Sequence, residues 1–157
     1  MVSSSLTRIL PLVVTLLSCT ESAEPTVVRD IGDVFGGGVI VSIAKDGSGA
    51  QHGVVVAPDE LSASVSWTYG GELCAAYTGG GHDDWVLPDV SDLMSMVKNT
   101  SAINSTLSAK GDTLRTGVYW SGREFDKTDA WYVSFVNGSA NSASKNQAFR
   151  IRAVRRF

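Results

Sequence analysis

The stretch that most constrains the fold is residues 130–144, AWYVSFVNGSANSAS. Aromatic and β-branched residues alternate along it until Asn137-Gly138, a dipeptide suited to the positive-φ positions of a hairpin turn. It predicts two antiparallel strands, so the rest of the chain must supply the sheet they join. GVYWSG at 117–122 reads as a further strand. In AFRIRAVRRF, Phe149, Ile151 and Ala153 alternate against Arg150 and Arg152, which predicts one half-buried final strand. Upstream, VFGGGVIVSIA at 34–44 and HGVVVAPDE at 52–60 flank the turn-rich KDGSGAQ and predict another hairpin.

Two helices are expected between these strand regions. ELCAAYT at 72–78 puts Leu73, Ala76 and Tyr77 on one face and stops at the glycines of 79–81. The second is expected over about 90–99, with Asp89 as N-cap, Asp92 complementing the helix dipole, and Val90, Leu93, Met94 and Val97 as the apolar stripe. TSAINSTLSAKGDTLRTG reads as a polar loop. Hairpin, two helices and several strands make an α+β domain. The triple glycine at 36–38 is no phosphate loop, because no helix and no Gly-Lys-Ser/Thr follows.

The first nineteen residues differ in kind. Arg8 is their one cation, an apolar run follows from Ile9 to Leu17, and Leu-Leu-Ser-Cys ends at Cys19. The run is too short to cross a bilayer as a helix and suits a secretory signal. The ending resembles a bacterial lipobox, which implies a signal peptide over 1–18, cleavage before Cys19 and acylation there. An ordinary signal peptide cut near Ser22-Ala23 is the other reading. Residues 19–30 are acidic and contain Pro25, as a tether would, leaving 31–157 as the domain. Thr20 after Cys19 points to an outer membrane or cell surface in the bacterial envelope, with the membrane reached through the lipid. The mature chain has one other cysteine, Cys74, expected as a small buried core residue.

Charge is divided. Cys19–Leu114 carries 4 basic and 13 acidic residues, net −9, and Arg115–Phe157 carries 8 basic and 3 acidic, net +5. The basic end either attracts anionic ligands or pairs with the acidic half inside the fold, the second being preferred. No nucleic-acid partner and no cofactor are expected.

Five segments, GGGVIV with QHGVVVA, CAAYTGGGHDDWVLPDVSDL, YWSG, AWYVSFVNG and RIRAVRRF, occur in an order that resembles the C-terminal domain of the Legionella collagen-like adhesin, over roughly residues 31–157. The resemblance implies a C-type lectin-like fold with paired N- and C-terminal strands and a loop-rich half that displays the ligand surface. The namesake domain binds sulfated glycans, so it also implies a glycan or surface partner. The sequence departs from the family pattern at Val86, where arginine is usual, and at Ala153, where cysteine is frequent. If the family's cysteine bridges to the one matching Cys74, then Cys74 is unpaired here.

The polar stretch His82-Asp83-Asp84 has several readings. In the first, Asp84 hydrogen-bonds backbone in a turn, Trp85 and Leu87 fill the core, Pro88 precedes the helix and Asp89 caps it. In the second, Asp83, Asp84 and Asp89 supply part of a calcium shell. Catalysis of a metal-dependent or formylglycine-generating kind would require His52, His82 and Asp83 to meet; with only two histidines and no nucleophile elbow it is the weaker reading. The pair Asp59-Glu60 reads as a solvated turn. Trp67, Tyr69, Tyr119, Trp120, Trp131 and Tyr132 divide between core packing and sugar stacking. Arg123 and Lys127 in the GREFDKTD loop, Lys145 in the next loop and Trp67 are the ligand-binding candidates. Taken together, the residues predict a non-catalytic envelope lipoprotein with an adhesin-type module. An enzyme and a structural envelope subunit are the alternatives.

Overall fold

A computed structural model describes residues 27–157. The signal segment, Cys19 and residues 19–26 of the tether lie outside the described residues. The last tether residues are held: the Arg29 N–H donates to the Gln51 side-chain oxygen at 2.8 Å, and the Gln51 amide donates back to the Arg29 carbonyl at 2.9 Å.

The fold is α+β, with nine strands and three helices among the described residues. One sheet has the order β1-β2-β3-β9, from β1 (Val34–Phe35), β2 (Gly38–Lys45), β3 (Gln51–Val56) and β9 (Val154–Arg156). The other has the order β4-β8-β5-β6-β7, from β4 (Ser62–Val65), β8 (Phe149–Ile151), β5 (Val118–Glu124), β6 (Asp129–Ser134) and β7 (Ala140–Ser144). The C-terminal β9 pairs antiparallel with β3, so the N- and C-terminal parts of the domain share a sheet.

Both sheets contribute to two apolar cores. Val39, Val41, Val54, Val56, Tyr119, Val133 and Val154 pack with α2 (Val90–Lys98) and α3 (Thr100–Ser108) through Leu93, Met96, Ile103 and Leu107. Ile40, Val55, Trp120, Ala130, Ile151 and Ala153 pack with Trp85 and with Cys74 of α1 (Trp67–Ala76). Cover on both faces explains why β2 reads as a nearly unbroken apolar run rather than an alternation.

Several expectations are corrected. Residues 100–108 form a third helix where a loop was expected. Only Ile103 and Leu107 face inward, but they sit at i and i+4. Asn104 adds two bonds to the backbone of Leu114, at 3.0 and 2.6 Å. Helix α1 begins at Trp67, five residues before the expected start, and runs through Gly70 and Gly71. In α2 the buried positions are Asp92, Leu93 and Met96, whereas Met94 is exposed, because the helix turns its i+3 neighbour inward rather than the adjacent residue. The expected single final strand is two, β8 and β9 in different sheets, with β4 pairing to β8.

Arg152 lies at that crossing and is fully buried, not outward-facing. Its guanidinium donates to the carbonyls of Ala57 (3.0 Å), Pro58 (2.6 Å) and Thr113 (3.2 Å) and to the Asp112 carboxylate (3.1 Å). A buried cation survives only when its polar atoms are partnered, and these acceptors engage all three of its nitrogens.

Candidate functional site

The two glycine triplets meet each other. A Cβ on Gly37 would stand 2.9 Å from the Gly80 Cα, and both residues hold positive φ, 78° and 67°. Glycine is needed there for a backbone-to-backbone approach. This seats the turn before His82 against the start of β2.

From that seat the acidic corner is fastened to β9. Asp84 receives two hydrogen bonds from Arg155, at 2.6 and 3.0 Å, and this guanidinium holds its carboxyl below the usual aspartate value of 3.8. The expected backbone-bonded Asp84 is therefore a side-chain ion pair. Arg155 also donates to the Gly36 carbonyl at 3.1 Å. Trp85 is buried, with its indole N–H on the Gly79 carbonyl at 3.0 Å. Pro88 is buried, and its carbonyl accepts the Gly122 N–H at 2.8 Å. Asp89 caps α2 as expected; the Asp92 carboxylate accepts the Asp89 N–H at 2.9 Å and closes a capping box. Arg156 bonds both carboxylates, at 3.0 and 3.1 Å. Leu87 is half-buried and borders a surface cleft as well as the core.

The charged halves of the chain meet inside the fold. Besides the Arg155 and Arg156 pairs, Arg150 binds both oxygens of Glu60 at 2.9 and 3.0 Å. Glu60 is thus no solvated turn: its side chain is 11% exposed, and the Tyr119 hydroxyl and Arg115 also reach it. Asp59 accepts the Tyr77 hydroxyl at 2.6 Å. Among the described residues, no group of three His, Cys, Asp or Glu side chains could hold a metal ion. His52 borders a hollow with Ala44, Asp92 and Arg156 to which neither His82 nor Asp83 contributes. Cys74 is a free, buried thiol whose pKa burial pushes up to about 12.

Of the four ligand-binding candidates, Trp67 and Lys145 meet beside the β5–β6 hairpin, whose loop carries Lys127 and whose first strand carries Arg123. The Trp67 indole N–H donates to the Ser121 carbonyl at 2.7 Å, and the Trp67 backbone N–H donates to the Lys145 carbonyl at 3.0 Å. The Lys145 ammonium lies 5.0 Å from the Trp67 ring centroid. It bonds the Glu124 carboxylate (2.7 Å) and the carbonyls of Asp126 (2.9 Å) and Lys127 (3.0 Å). Three partners match its three donors, so Lys145 pins the loop. Asp126 completes the tip by accepting the N–H groups of Thr128 and Asp129 at 2.7 and 2.8 Å. These bonds hold its carboxyl below the usual range. Arg123 and Lys127 are exposed, and neither forms a salt bridge among the described residues. Of the aromatics, Tyr119 and Trp120 are buried, Tyr69 is exposed, and Phe125 and Trp131 make an edge-on pair 5.5 Å apart.

Two clefts open beside β5, one lined in part by Gly122 and the other by Arg123. One, of about 300 Å³, is lined by Trp67, Gly71, Ala75, Trp85, Val86, Leu87 and Gly122. The other, of about 570 Å³, is lined by Asp89, Val90, Ser91 and Arg123. Gly71, Val86 and Ser91 were not singled out as binding residues from the sequence. No local signal pointed to Gly71, because the expected helix began one residue after it and the cleft is visible only in the fold.

The model of the Lcl C-terminal domain matches residues 48–155, from the β2–β3 loop through β9. Comparison with curated proteins finds none that matches. The match spans well over half the chain and includes the DWVLP corner, the β5–β6 tip and the residues that line both clefts; the chain belongs to the Lcl C-terminal domain family.

Proposed function

We propose that the protein is a non-catalytic recognition module, exported and lipid-anchored through Cys19, which binds a glycan chain at the two clefts beside β5. The family is adhesin-associated and is not a known enzyme family. The C-type lectin-like architecture belongs to the same proposal, supported by the shared sheet of β3 and β9 and by the loop-rich half that carries the clefts.

One observation carries the reading. The acidic corner, which would have to supply any reactive or metal-binding groups, is engaged with Arg155 and Arg156. The exposed cation Arg123 instead lines one concave surface, and Trp67, pinned at the start of α1, lines the other. Concave apolar surface with a few polar groups at its rim is the usual form of a small-ligand site.

The test is binding of the full chain to an oligosaccharide array, repeated with Arg123→Ala/Lys127→Ala. Retained folding with weakened binding supports the reading. Absence of binding to every oligosaccharide, together with turnover of a substrate, overturns it. Anchoring is tested separately by mass spectrometry of the mature N-terminus, with acylated Cys19 as the expected species.

A further inference from the structure

Helix α1 contains two adjacent glycines with opposite reasons for being there. A Cβ on Gly70 would stand 2.9 Å from Ile151 Cγ2, so close helix-to-strand packing demands glycine. A Cβ on Gly71 would meet only Leu87 Cδ1, at 3.9 Å, an ordinary contact. Its φ needs no glycine either, and glycine in a helix interior is less stable than alanine. Nothing in the packing accounts for Gly71. What it borders is the cleft of about 300 Å³, one helical turn along from Trp67. A side chain at 71 would extend into that space.

We propose that Gly71 keeps this cleft open for an uncharged pyranose ring, stacked on Trp67 and against Val86 and Leu87, with its hydroxyl edge turned to Ser91 and Arg123. The proposal rests on the recognition reading above and specifies its ligand. A pyranose has a face of C–H groups and a rim of hydroxyls. The indole face carries negative quadrupole charge that attracts polarised C–H groups. The Trp67 ring is held by its bond to Ser121 and by Lys145 over it, so stacking requires little reordering of the side chain. The neighbouring cleft presents the Ser91 hydroxyl and the Arg123 guanidinium, an acceptor and donor set that suits hydroxyls. The apolar cleft is lined by no charged side chain, and the nearest ammonium, Lys145, has its three donors filled. A sulfate or carboxylate buried there would lose its hydration without a partner.

The experiment titrates the full chain with neutral oligosaccharides (a β-glucan trimer, chitotriose and a galactan fragment) and with sulfated dextran, reading tryptophan fluorescence and a surface-binding signal. Wild type is expected to bind at least one neutral probe. Gly71→Leu is expected to weaken that binding by at least about tenfold, while circular dichroism and melting temperature stay at or above wild type. Ser91→Ala is expected to weaken it with the fold kept. Neutral binding that Gly71→Leu leaves intact overturns the cleft assignment and spares the recognition reading. Binding of sulfated dextran alone, sensitive to Arg123→Ala but not to Gly71→Leu, overturns the neutral ligand. A response to an aromatic peptide with none to any oligosaccharide overturns both.

Discussion

Arg155 and Asp84 lie 71 positions apart and meet through two hydrogen bonds of 2.6 and 3.0 Å. The pair ties the glycine-seated corner to β9. Its carboxyl lies below 3.8, as do those of Asp112, whose burial is outweighed by its backbone and arginine partners, and of Asp126. A depressed folded-state value means that these groups stabilise the fold above pH about 3.8 and lose that effect as pH falls through their lower folded values. Thermal melts between pH 7 and pH 2 should show a falling melting temperature below about pH 4. Asp84→Asn should flatten part of that fall, while a slope equal to wild type would show that the pair carries no linkage.

Arg152→Ala should be among the most damaging single changes. It removes four bonds from a fully buried group and leaves Asp112 without its closest cation. Breaking a buried pair on one side costs about 3–5 kcal/mol. Urea denaturation of Arg152→Ala should show that loss, and Arg152→Met/Asp112→Asn should recover part of it.

The two glycines of α1 should respond in opposite directions. Gly70→Ala pushes on Ile151 and should destabilise by about 1–3 kcal/mol. Gly71→Ala should stabilise by about 0.5–1 kcal/mol. Chemical denaturation of the two variants checks both signs without reference to any ligand.

Lys145→Met keeps the stem over Trp67 and removes the bonds to Glu124, Asp126 and Lys127. The hairpin tip should loosen, and limited trypsin digestion should cut after Arg123 or Lys127 faster than in wild type. The cost in global stability should be about 1 kcal/mol or less, because the ion pair is partly exposed.

Cys74 should resist thiol reagents at neutral pH in the folded protein and react on denaturation, since its pKa stands at about 12. A Cys19→Ser background isolates the signal. Fast labelling of the native form would show that α1 opens.

Much of the fold was legible where one rule dominated. The hairpin ending near Asn137-Gly138, the Asp89 cap and the β2–β3 hairpin followed from turn chemistry and alternation. The α3 helix was hidden because its serines and threonines mimic a loop; Thr106 and Asn104 find their partners in Gly32 and Leu114, contacts no local pattern announces. The break after Ile151 was hidden for a similar reason. Alternation placed Arg152 outward, and it is the carbonyls of Ala57, Pro58 and Thr113 with the Asp112 carboxylate that make an inward arginine stable. At the site, Arg123, Lys127 and Trp67 were visible as residue types, while Gly71 and Val86 required the cleft itself.

The division of charge along the chain bears on the order of folding. Residues 19–114 carry net −9, and Arg150, Arg152, Arg155 and Arg156 neutralise Glu60, Asp112, Asp84 and the Asp89–Asp92 pair across separations of 40 to 90 positions. Such distant pairings slow folding and make it cooperative. A chain halted at residue 148 lacks β8, β9 and all four guanidiniums, so it should stay uncollapsed by circular dichroism. Until those four guanidiniums arrive, like charges along the acidic part repel one another and oppose its collapse, so the last segment made is the one that lets the rest close.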